Sequence, residues 1–355
     1  MDNHPEMSEL VLNEDKLFLT YNQQMRKLRN DKHIECKGSS HKKILIRAGY
    51  FNIVNGYKTP FVSGLDSAGK HSYISGTSIN QLQAVKKFDD NLRSFLLRYI
   101  TQVEEETRTL SGYKFDECND NGEVPWYDTN AYAPQKSLQE KMGVISKAYS
   151  ELSKSQLDYV KFYMDNHKQI PTWIMIKVIN FSTFIDILRC SKIEVSHSLC
   201  ELYDLKDAEG HNDVKLLIGS LHWMRKIRNS CAHNERVYCL TRRQERRGHS
   251  GRILENYFRM LSNGYSRDLD QRLFDLIVYF KYYLPKSEYK QFINELKNML
   301  EDLQAKIHPH AFEYVRGQMG IKKLDDLNTL VALPKNDIDY NKFDKQNAIG
   351  ENNLI

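Results

Sequence analysis

The chain has 355 residues, of which 41% are hydrophobic and 27% are charged, and its formal net charge is +5. This length leaves room for two domains, each with its own buried core. The mild positive charge is compatible with a polyanionic partner without requiring one. The acidic first twenty residues argue against a secretory signal, and the most apolar stretch, 173–188, contains too many polar residues to span a bilayer. We therefore expect a cytoplasmic protein without a membrane segment.

The N-terminal part is predicted to consist of basic helices and one aromatic turn. Hydrophobic periodicity predicts helices over about 10–30 and 40–48, with an excess of lysine and arginine. Residues 49–61 are rich in aromatic side chains, and their glycines together with Pro60 disfavour a long helix, which predicts a compact turn. The pattern then predicts a long helix over about 78–110.

Residues 111–135, rich in Asp, Asn, Gly and Pro, are interpreted as a linker between two domains. The periodicity beyond this linker predicts a bundle of five helices over about 136–166, 172–192, 213–234, 268–284 and 286–306. The predicted fold class is therefore mainly α. Its parts are a basic helical N-terminal domain over 1–135, a helical bundle over 136–310 and a C-terminal extension over 311–355. The polar composition after Pro334 predicts a mobile tail.

The helix predicted over 213–234 contains the most informative residues of the chain. A helical wheel predicts one apolar stripe that faces the core, formed by Leu217, Leu221, Met224, Ile227 and Cys231. A separate polar face contains His222, Arg225, Asn229 and His233, and Arg228 lies at the edge of the stripe. His233 is thus predicted to point away from the core of its own bundle.

Residues 228–233 combine a permanent cation, an amide and an imidazole. Cleavage of RNA without a metal needs a group that exchanges protons near neutral pH and a positive charge at the scissile phosphate. We assign Arg228, Asn229 and His233 as candidate catalytic residues, with no metal and no cofactor. The competing interpretation is an ordinary solvated face of a helix. Cys231 and Cys239 flank His233, but their spacing fits no structural zinc site.

Further cations lie on this polar face and in the segment that follows it. Because arginine neutralises phosphates and stacks on unpaired bases, RNA binding is predicted for Arg225, Arg236, Arg242, Arg243, Arg246 and Arg247. The same role is predicted in the N-terminal part for Arg26, Arg29, Lys42, Lys43, Tyr57 and Lys58. For Tyr57 and Lys58 the alternative is packing between domains. Trp173 and Phe181 are expected to be core residues, with base stacking as the alternative.

Segments in four places along the chain share a pattern with one family. They are GYFNIVNGYKTPF at 49–61, DYVKFY at 158–163, PTWIMIKVINFSTFIDIL at 171–188 and LHWMRKIRNSCAHNERVY at 221–238. The last contains RNSCAH, an Arg and a His with four residues between them. In these segments the chain resembles the abortive-infection Abi-D/Abi-F proteins of the HEPN ribonuclease superfamily. It departs from their pattern at Lys177, Ser182, Asn234 and Tyr238, where Glu, Gly, a second His and Trp are usual.

The resemblance implies a HEPN-type helical bundle and a metal-independent endoribonuclease, in which the 2′-hydroxyl of the RNA attacks the neighbouring phosphate. In this interpretation His233 transfers protons, Arg228 stabilises the phosphate, and Asn229 orients either the imidazole or a phosphate oxygen. The resemblance also implies a homodimer in which two Arg-His sets face each other, and a bound small noncoding RNA. The alternative is a non-catalytic RNA-binding scaffold or antitoxin-like protein with the same fold.

Overall fold

The computed structural model describes residues 18–67, 69–167, 169–207, 209–243 and 270–335, and within them the predicted mainly α fold class is confirmed. The α-helices are α1 (Tyr21–Lys32), α2 (Gly38–Ala48), α3 (Ile79–Glu117), α4 (Leu138–Ser153), α5 (Asp158–Asn166), α6 (Thr172–Val178), α7 (Phe181–Cys190), α8 (Ile193–Tyr203), α9 (Val214–Ala232), α10 (Leu273–Tyr283), α11 (Lys286–Gln304), α12 (Pro309–Gln318) and α13 (Asp325–Ala332). None of these helices is long and apolar enough to cross a bilayer.

Two short pairs of antiparallel strands accompany the helices, and hydrophobic periodicity does not predict them. Strand β1 (Val62–Leu65) pairs with β2 (His71–Tyr73), and β3 (Arg242–Arg243) pairs with β4 (Asp270–Gln271). Strands of two to four residues are too short for an alternating pattern to be recognised in the sequence.

The described chain divides into two compact units at a point within α3. The first unit takes the residues up to Lys87 together with Leu303–Phe312, and the second takes the others. The segment interpreted as a linker, 111–135, lies within the second unit. Its Trp126 and Tyr132 are buried, and the Tyr132 hydroxyl donates a hydrogen bond of 2.6 Å to the Trp126 carbonyl. The division differs from the expected boundary at residue 135 because the aromatic residues of this segment pack into a core.

In the first unit, α1 contacts both α2 and β2. Helix α1 begins with a capping box between Thr20 and Gln23, which satisfies two backbone groups at its N-terminus. The predicted compact turn over 49–61 consists of a π-helical turn, Phe51–Asn55, and a 3-10 turn, Thr59–Phe61. Ile53, Val54 and Phe61 are buried in the core of this unit, whereas Phe51 is exposed, so the turn is packed on one side.

In the second unit, each of the first two predicted bundle helices is divided into two. The stretch 136–166 forms α4 and α5, and 172–192 forms α6 and α7. The second break has a tertiary cause, because Glu151 of α4 caps the first turn of α7. Its carboxylate accepts hydrogen bonds from the Asn180 backbone at 2.6 Å and from the Thr183 hydroxyl at 2.7 Å. The hydrophobic periodicity of residues 172–192 does not predict this break, because the capping residue lies on α4.

The expectation that Trp173 is a core residue is wrong, whereas Phe181 is buried as expected. The buried side of α6 is formed by Thr172, Ile174, Met175 and Ile176. Gly112 of α3 permits a close approach, since a Cβ at this position would lie 3.2 Å from Cγ2 of Ile176. Trp173 is therefore left on the solvent side of α6, where it is 54% exposed.

A buried carboxylate on α3 fixes the segment that follows α9. Oδ1 of Asp89, which is fully buried, accepts hydrogen bonds from the backbone N–H groups of Val237 at 3.1 Å and Tyr238 at 3.0 Å. Arg93 pairs with Oδ2 of Asp89 at 3.0 Å and donates to the carbonyl of Glu235 at 3.3 Å. This charge pair therefore holds the backbone of residues 235–238 against α3.

We predict that Asp89→Ala destabilises the fold by about 3–5 kcal/mol, because it removes the buried carboxylate that Arg93 pairs with and leaves two backbone donors buried without an acceptor. The matched control is Asp90→Ala, which removes the other carboxylate bound by Arg93. Because the Asp90 side chain is 37% exposed, the expected cost is about 0–1 kcal/mol. Urea unfolding of both variants measures the difference, and equal losses would contradict the proposed role of Asp89.

Candidate functional site

Helix α9 positions the candidate residues. The helix begins after Asp213, whose carboxylate accepts a hydrogen bond of 2.9 Å from the Leu216 backbone. The predicted apolar stripe is confirmed, since all five of its residues are buried, and α9 packs against α7, α8 and α10. Asn229 and His233 are exposed at its C-terminal end. His233 thus points away from the core, as the helical wheel predicts.

The end of α9 is a Schellman motif that places His233 at the C-cap. The N–H of Asn234 donates to the carbonyl of Cys231 at 3.3 Å, and the N–H of Glu235 donates to the carbonyl of Ser230 at 3.0 Å. Asn234 has a φ of 55°, in the left-handed region that asparagine adopts more readily than most residues. Asn234, which stands where the family usually has a second His, is therefore the residue that terminates the helix.

An open cleft of about 340 Å³ lies beside the end of α9. The described residues that line it are His222, Arg225, Lys226, Asn229, Ser230, His233, Glu235 and Arg242. Three of them are permanent cations, and Glu235 is the one carboxylate of this set. The Ser230 hydroxyl donates to Oε2 of Glu235 at 2.5 Å, which occupies one side of that carboxylate. The balance of charge in the lining favours an anionic ligand.

Two of the cleft cations are fixed by backbone carbonyls. Lys226 Nζ donates to the Thr241 carbonyl at 2.6 Å, and a guanidinium nitrogen of Arg242 donates to the Gly219 carbonyl at 3.3 Å. The third, Arg225, has a buried Nε without a hydrogen-bond partner among the described residues.

Arg228 lies on a different side of α9 and is not among the described residues that line the cleft. Its Nε is 3.7 Å from Oε2 of Glu104 on α3, and its NH1 donates to Oδ1 of Asn229 at 3.4 Å. Glu104 also pairs with the buried Arg108 at 2.7 Å. The structure thus brings Arg228 and Asn229 together, whereas His233 is among the described residues that line the cleft and Arg228 is not.

Four cleft residues were not among the predicted site residues: His222, Lys226, Ser230 and Glu235. Helical spacing contained a signal for the first two, since 222, 226, 229 and 233 recur at intervals of three and four residues. Ser230 and Glu235 line the cleft because the Schellman motif and the Asp89 contact fold the chain back after α9, and residue spacing within α9 does not predict this.

Burial, followed by the positive charges of Arg242 and Arg225, lowers the pKa of His222 to about 4. His222 is therefore a neutral imidazole near neutral pH.

The remaining residues predicted to bind RNA near α9 occupy several positions. Arg236 is exposed in the turn after the Schellman motif, and Arg243 follows Arg242 in β3. Arg246 and Arg247 lie outside the described residues.

The other six predicted RNA-binding residues belong to the first unit, whereas α9 belongs to the second. Arg26 and Lys43 are exposed, and Lys42 is half-buried. Arg29 donates to the Cys36 carbonyl at 2.6 Å, and Lys58 Nζ lies 3.5 Å from Oδ1 of Asn55. Tyr57 is a core residue with an exposed fraction of 4%.

The two cysteines that flank His233 are free. Burial raises the pKa of the Cys231 thiol to about 12 and also raises the pKa of Cys239. Cys231 is part of the buried stripe of α9, where it packs as a small apolar side chain. Among the described residues, no three His, Cys, Asp or Glu side chains converge in a group able to hold a metal ion.

Comparison with known proteins identifies one family. The family model described as Abi-like protein matches residues 43–239, which is more than half of the chain. The match includes the π-helical turn, Glu104, and all of α9 with its Schellman motif. No curated protein and no solved structure matches the chain significantly.

We predict that His222 makes the fold sensitive to acid. Its folded pKa of about 4 lies below the ordinary value of 6.5, so the unfolded chain takes up a proton first as the pH falls. The stability contributed by neutral His222 is present above pH 6.5 and is lost as the pH falls towards 4. Because the side chain is only half-buried, we expect this loss to be on the order of 1 kcal/mol.

Urea unfolding at about pH 7 and about pH 4.5 measures this loss. His222→Gln should lose less unfolding free energy between the two conditions than the wild-type chain. His71→Gln, at an exposed position of β2, serves as the control and should behave like the wild type. An identical pH dependence in wild type and His222→Gln would show that His222 is not held neutral by its surroundings.

Proposed function

We propose that this chain, which belongs to the Abi-like protein family, is a metal-independent endoribonuclease of the HEPN type that acts in abortive infection. The family supports the abortive-infection role. The observation that carries the proposed activity is the exposed pair Asn229 and His233 at the edge of a cleft with three permanent cations. An imidazole that water and substrate can reach, beside groups that bind phosphate oxygens, is what cleavage of a phosphodiester requires.

In the proposed reaction the 2′-hydroxyl oxygen of a ribose forms a bond to the adjacent phosphorus and releases its proton to a base. The bond from phosphorus to the 5′-oxygen breaks, and that oxygen accepts a proton. The products are a 2′,3′-cyclic phosphate and a 5′-hydroxyl end. His233 transfers these protons, and the cations hold the phosphate oxygens while negative charge accumulates. The position of Arg225 in the cleft lining supports this arrangement, since a guanidinium binds phosphate oxygens with charge-assisted hydrogen bonds.

The position of Arg228 supports a site composed of two chains. Within one copy, Arg228 lies beside Glu104 and donates to Asn229, and it is not among the described residues that line the cleft. Its side chain is nevertheless 40% exposed, so it is accessible to a second chain. We propose a homodimer in which two copies of the end of α9 face each other, so that Arg228 of one copy approaches His233 of the other.

A bound small noncoding RNA is a further part of the proposal. Exposed cations on α1 and α2, such as Arg26 and Lys43, are compatible with binding to an RNA backbone. A bound RNA of this kind either restrains the nuclease or directs it to its substrate.

The alternative function is a non-catalytic RNA-binding scaffold or antitoxin-like protein. The pairing of Arg228 with Glu104 favours this alternative, because it neutralises part of the charge that catalysis would use. Both functions place RNA at the cleft, and turnover distinguishes them.

We predict that His233→Ala lowers the rate of RNA cleavage by about 100- to 10,000-fold, the usual contribution of general acid–base catalysis. The substrate is a generic single-stranded RNA with a label at its 5′ end, and the rate is measured on denaturing gels. His211→Ala, at a side chain that is 78% exposed and outside the cleft, is the matched control and should cleave at the wild-type rate. If wild type and His233→Ala bind RNA alike and neither cleaves it, the scaffold alternative is correct.

We also predict that the wild-type chain is a dimer, with a light-scattering mass twice the 41.7 kDa of one chain. In a composite site, mixed dimers of Arg228→Ala and His233→Ala contain one intact Arg228 and one intact His233 on different chains. The mixture should therefore recover cleavage that neither variant shows alone. A monomeric protein that cleaves RNA would contradict the composite site while leaving the ribonuclease proposal intact.

A further inference from the structure

The cleft beside α9 runs along the helix axis. Its α9 residues recur on one side of the helix, at 222, 225, 226, 229, 230 and 233. Because an α-helix rises about 1.5 Å per residue, the backbones of His222 and His233 lie about 16 Å apart along the axis. The cleft therefore has two ends. The His222 end is lined by His222, Arg225, Lys226 and Arg242, and the His233 end is lined by Asn229, Ser230, His233 and Glu235.

The three cations that line the cleft lie at the His222 end. Arg225 and Lys226 precede His233 by about two turns of α9. The guanidinium of Arg242 is anchored still farther from His233, because it donates to the carbonyl of Gly219 at 3.3 Å. Lys226 is likewise held by a backbone carbonyl just before β3. The positive charge of the lining is therefore displaced from the candidate catalytic imidazole.

A further cation, Arg189 on α7, extends this charge beyond the cleft lining. Helix α7 packs against α9, and the Arg189 side chain is exposed. After burial, the charges of Arg242, Arg225 and Arg189 are the causes that lower the pKa of His222. All three arginines therefore lie near the His222 imidazole, which remains uncharged between them near neutral pH.

Two carboxylates near the cleft leave this charge in excess. Asp186 of α7 acts on the pKa of His222 in the opposite direction, with a smaller effect than each of the three arginines. It has a cation partner of its own, since Lys147 Nζ lies 2.9 Å from its Oδ2. Glu235, the carboxylate among the described lining residues, lies at the His233 end. The positive potential is thus concentrated at one end of the cleft.

A polynucleotide strand matches this arrangement. Its phosphates recur along the strand with one negative charge each, so a strand with one phosphate at His233 offers others along α9. Arginine and lysine side chains that bind such phosphates set the position of the strand without reading its sequence. A dinucleotide contains a single phosphodiester and leaves the His222 end without a ligand.

We infer that the His222 end of the cleft binds phosphates that neighbour the scissile phosphate on one side, so that the proposed ribonuclease acts on a strand that continues along α9. This inference rests on the proposed function and names its class of substrate, an oligoribonucleotide extended on that side of the cleaved bond. The phosphate oxygens held by the cleft cations then include those of neighbouring nucleotides. Arg228 of the other copy in the proposed dimer is left to bind the scissile phosphate.

Strand length provides a direct test. The substrates are a dinucleotide with one cleavable 2′-hydroxyl and two longer strands, which extend it by three 2′-O-methyl nucleotides on the 5′ side or on the 3′ side. Extension on one side should raise kcat/KM about ten-fold or more, the usual effect of a hydrogen bond to a charged group. Extension on the other side should change kcat/KM little. Equal gains on both sides, or no gain on either, would overturn the inference.

Variants of the arginines test which residues bind the neighbouring phosphates. Arg189→Gln, at an exposed position, should lower kcat/KM on the favoured strand about two- to five-fold and make it less dependent on salt. Arg242→Gln should act in the same direction. Lys290→Gln, which removes an exposed lysine of α11 outside the cleft, is the control and should cleave like the wild type.

A neutral methylphosphonate in place of each neighbouring phosphate in turn identifies the contacts. At the phosphate bound by Arg189, this change should lower kcat/KM for the wild type and have a smaller effect in Arg189→Gln, because the contact is already lost. Equal effects in both proteins at every neighbouring phosphate would show that Arg189 binds none of them.

The outcomes separate this inference from the proposed function. If the dinucleotide and both longer strands are cleaved with the same kcat/KM, the inference is overturned and the ribonuclease proposal stands. If Arg189→Gln and Arg242→Gln both cleave the favoured strand like the wild type, the inference is again overturned. If nothing is cleaved, but a fully 2′-O-methylated strand binds more tightly than the dinucleotide and Arg189→Gln weakens that binding, strand binding is supported and the ribonuclease proposal fails.

Discussion

The carboxylate of Asp89 joins α3 to the backbone that follows α9. It is fully buried, and it accepts two backbone N–H groups while it pairs with Arg93. A buried carboxylate is stable when its oxygens are satisfied, so the segment 235–238 has little freedom to adopt another position. Together with the Schellman motif at Asn234, this contact fixes the backbone that follows His233. An exposed imidazole is thereby held on a rigid part of the structure, which suits a group that has to meet a substrate in one geometry.

The charges around this imidazole differ from those of an ordinary helix surface. Arg225, Lys226 and Arg242 line the cleft, and burial beside two of these arginines keeps His222 neutral. Arg228 is turned towards Glu104 on α3 instead. The charge of the cleft supports the proposed RNA ligand, and the absence of Arg228 from the described residues that line the cleft supports the proposed dimer.

The sequence predicts α9 well because all the residues on which the prediction depends lie within this one helix. Its apolar stripe, its beginning at Asp213 and the outward direction of His233 all follow from spacing within about twenty residues. Features that depend on distant residues were not predictable in this way. The Asp89 contact joins residues 148 and 149 positions apart, and the start of α7 depends on Glu151 of α4.

The directions of Arg228 and Trp173 also depend on residues that are distant in the sequence. The helical wheel placed Arg228 at the edge of the apolar stripe. The direction of its side chain is determined by Glu104 on α3, which the sequence of α9 does not reveal. Trp173 was expected in a core because tryptophan is usually buried, and the packing of α6 on Gly112 reverses that expectation. Spacing along a helix thus identifies the face on which a residue lies, whereas contacts with other helices determine what that side chain can bind.

The most direct measurement of the central claim compares an RNA oligonucleotide with the same oligonucleotide containing a single 2′-deoxyribose at the cleaved position. Mass spectrometry of the products identifies the new ends. The account predicts that the all-ribose strand is cut to a 2′,3′-cyclic phosphate and a 5′-hydroxyl, and that the 2′-deoxy position is left intact. Cleavage at the 2′-deoxy position, or no cleavage of either strand by a dimer that binds RNA, would contradict it.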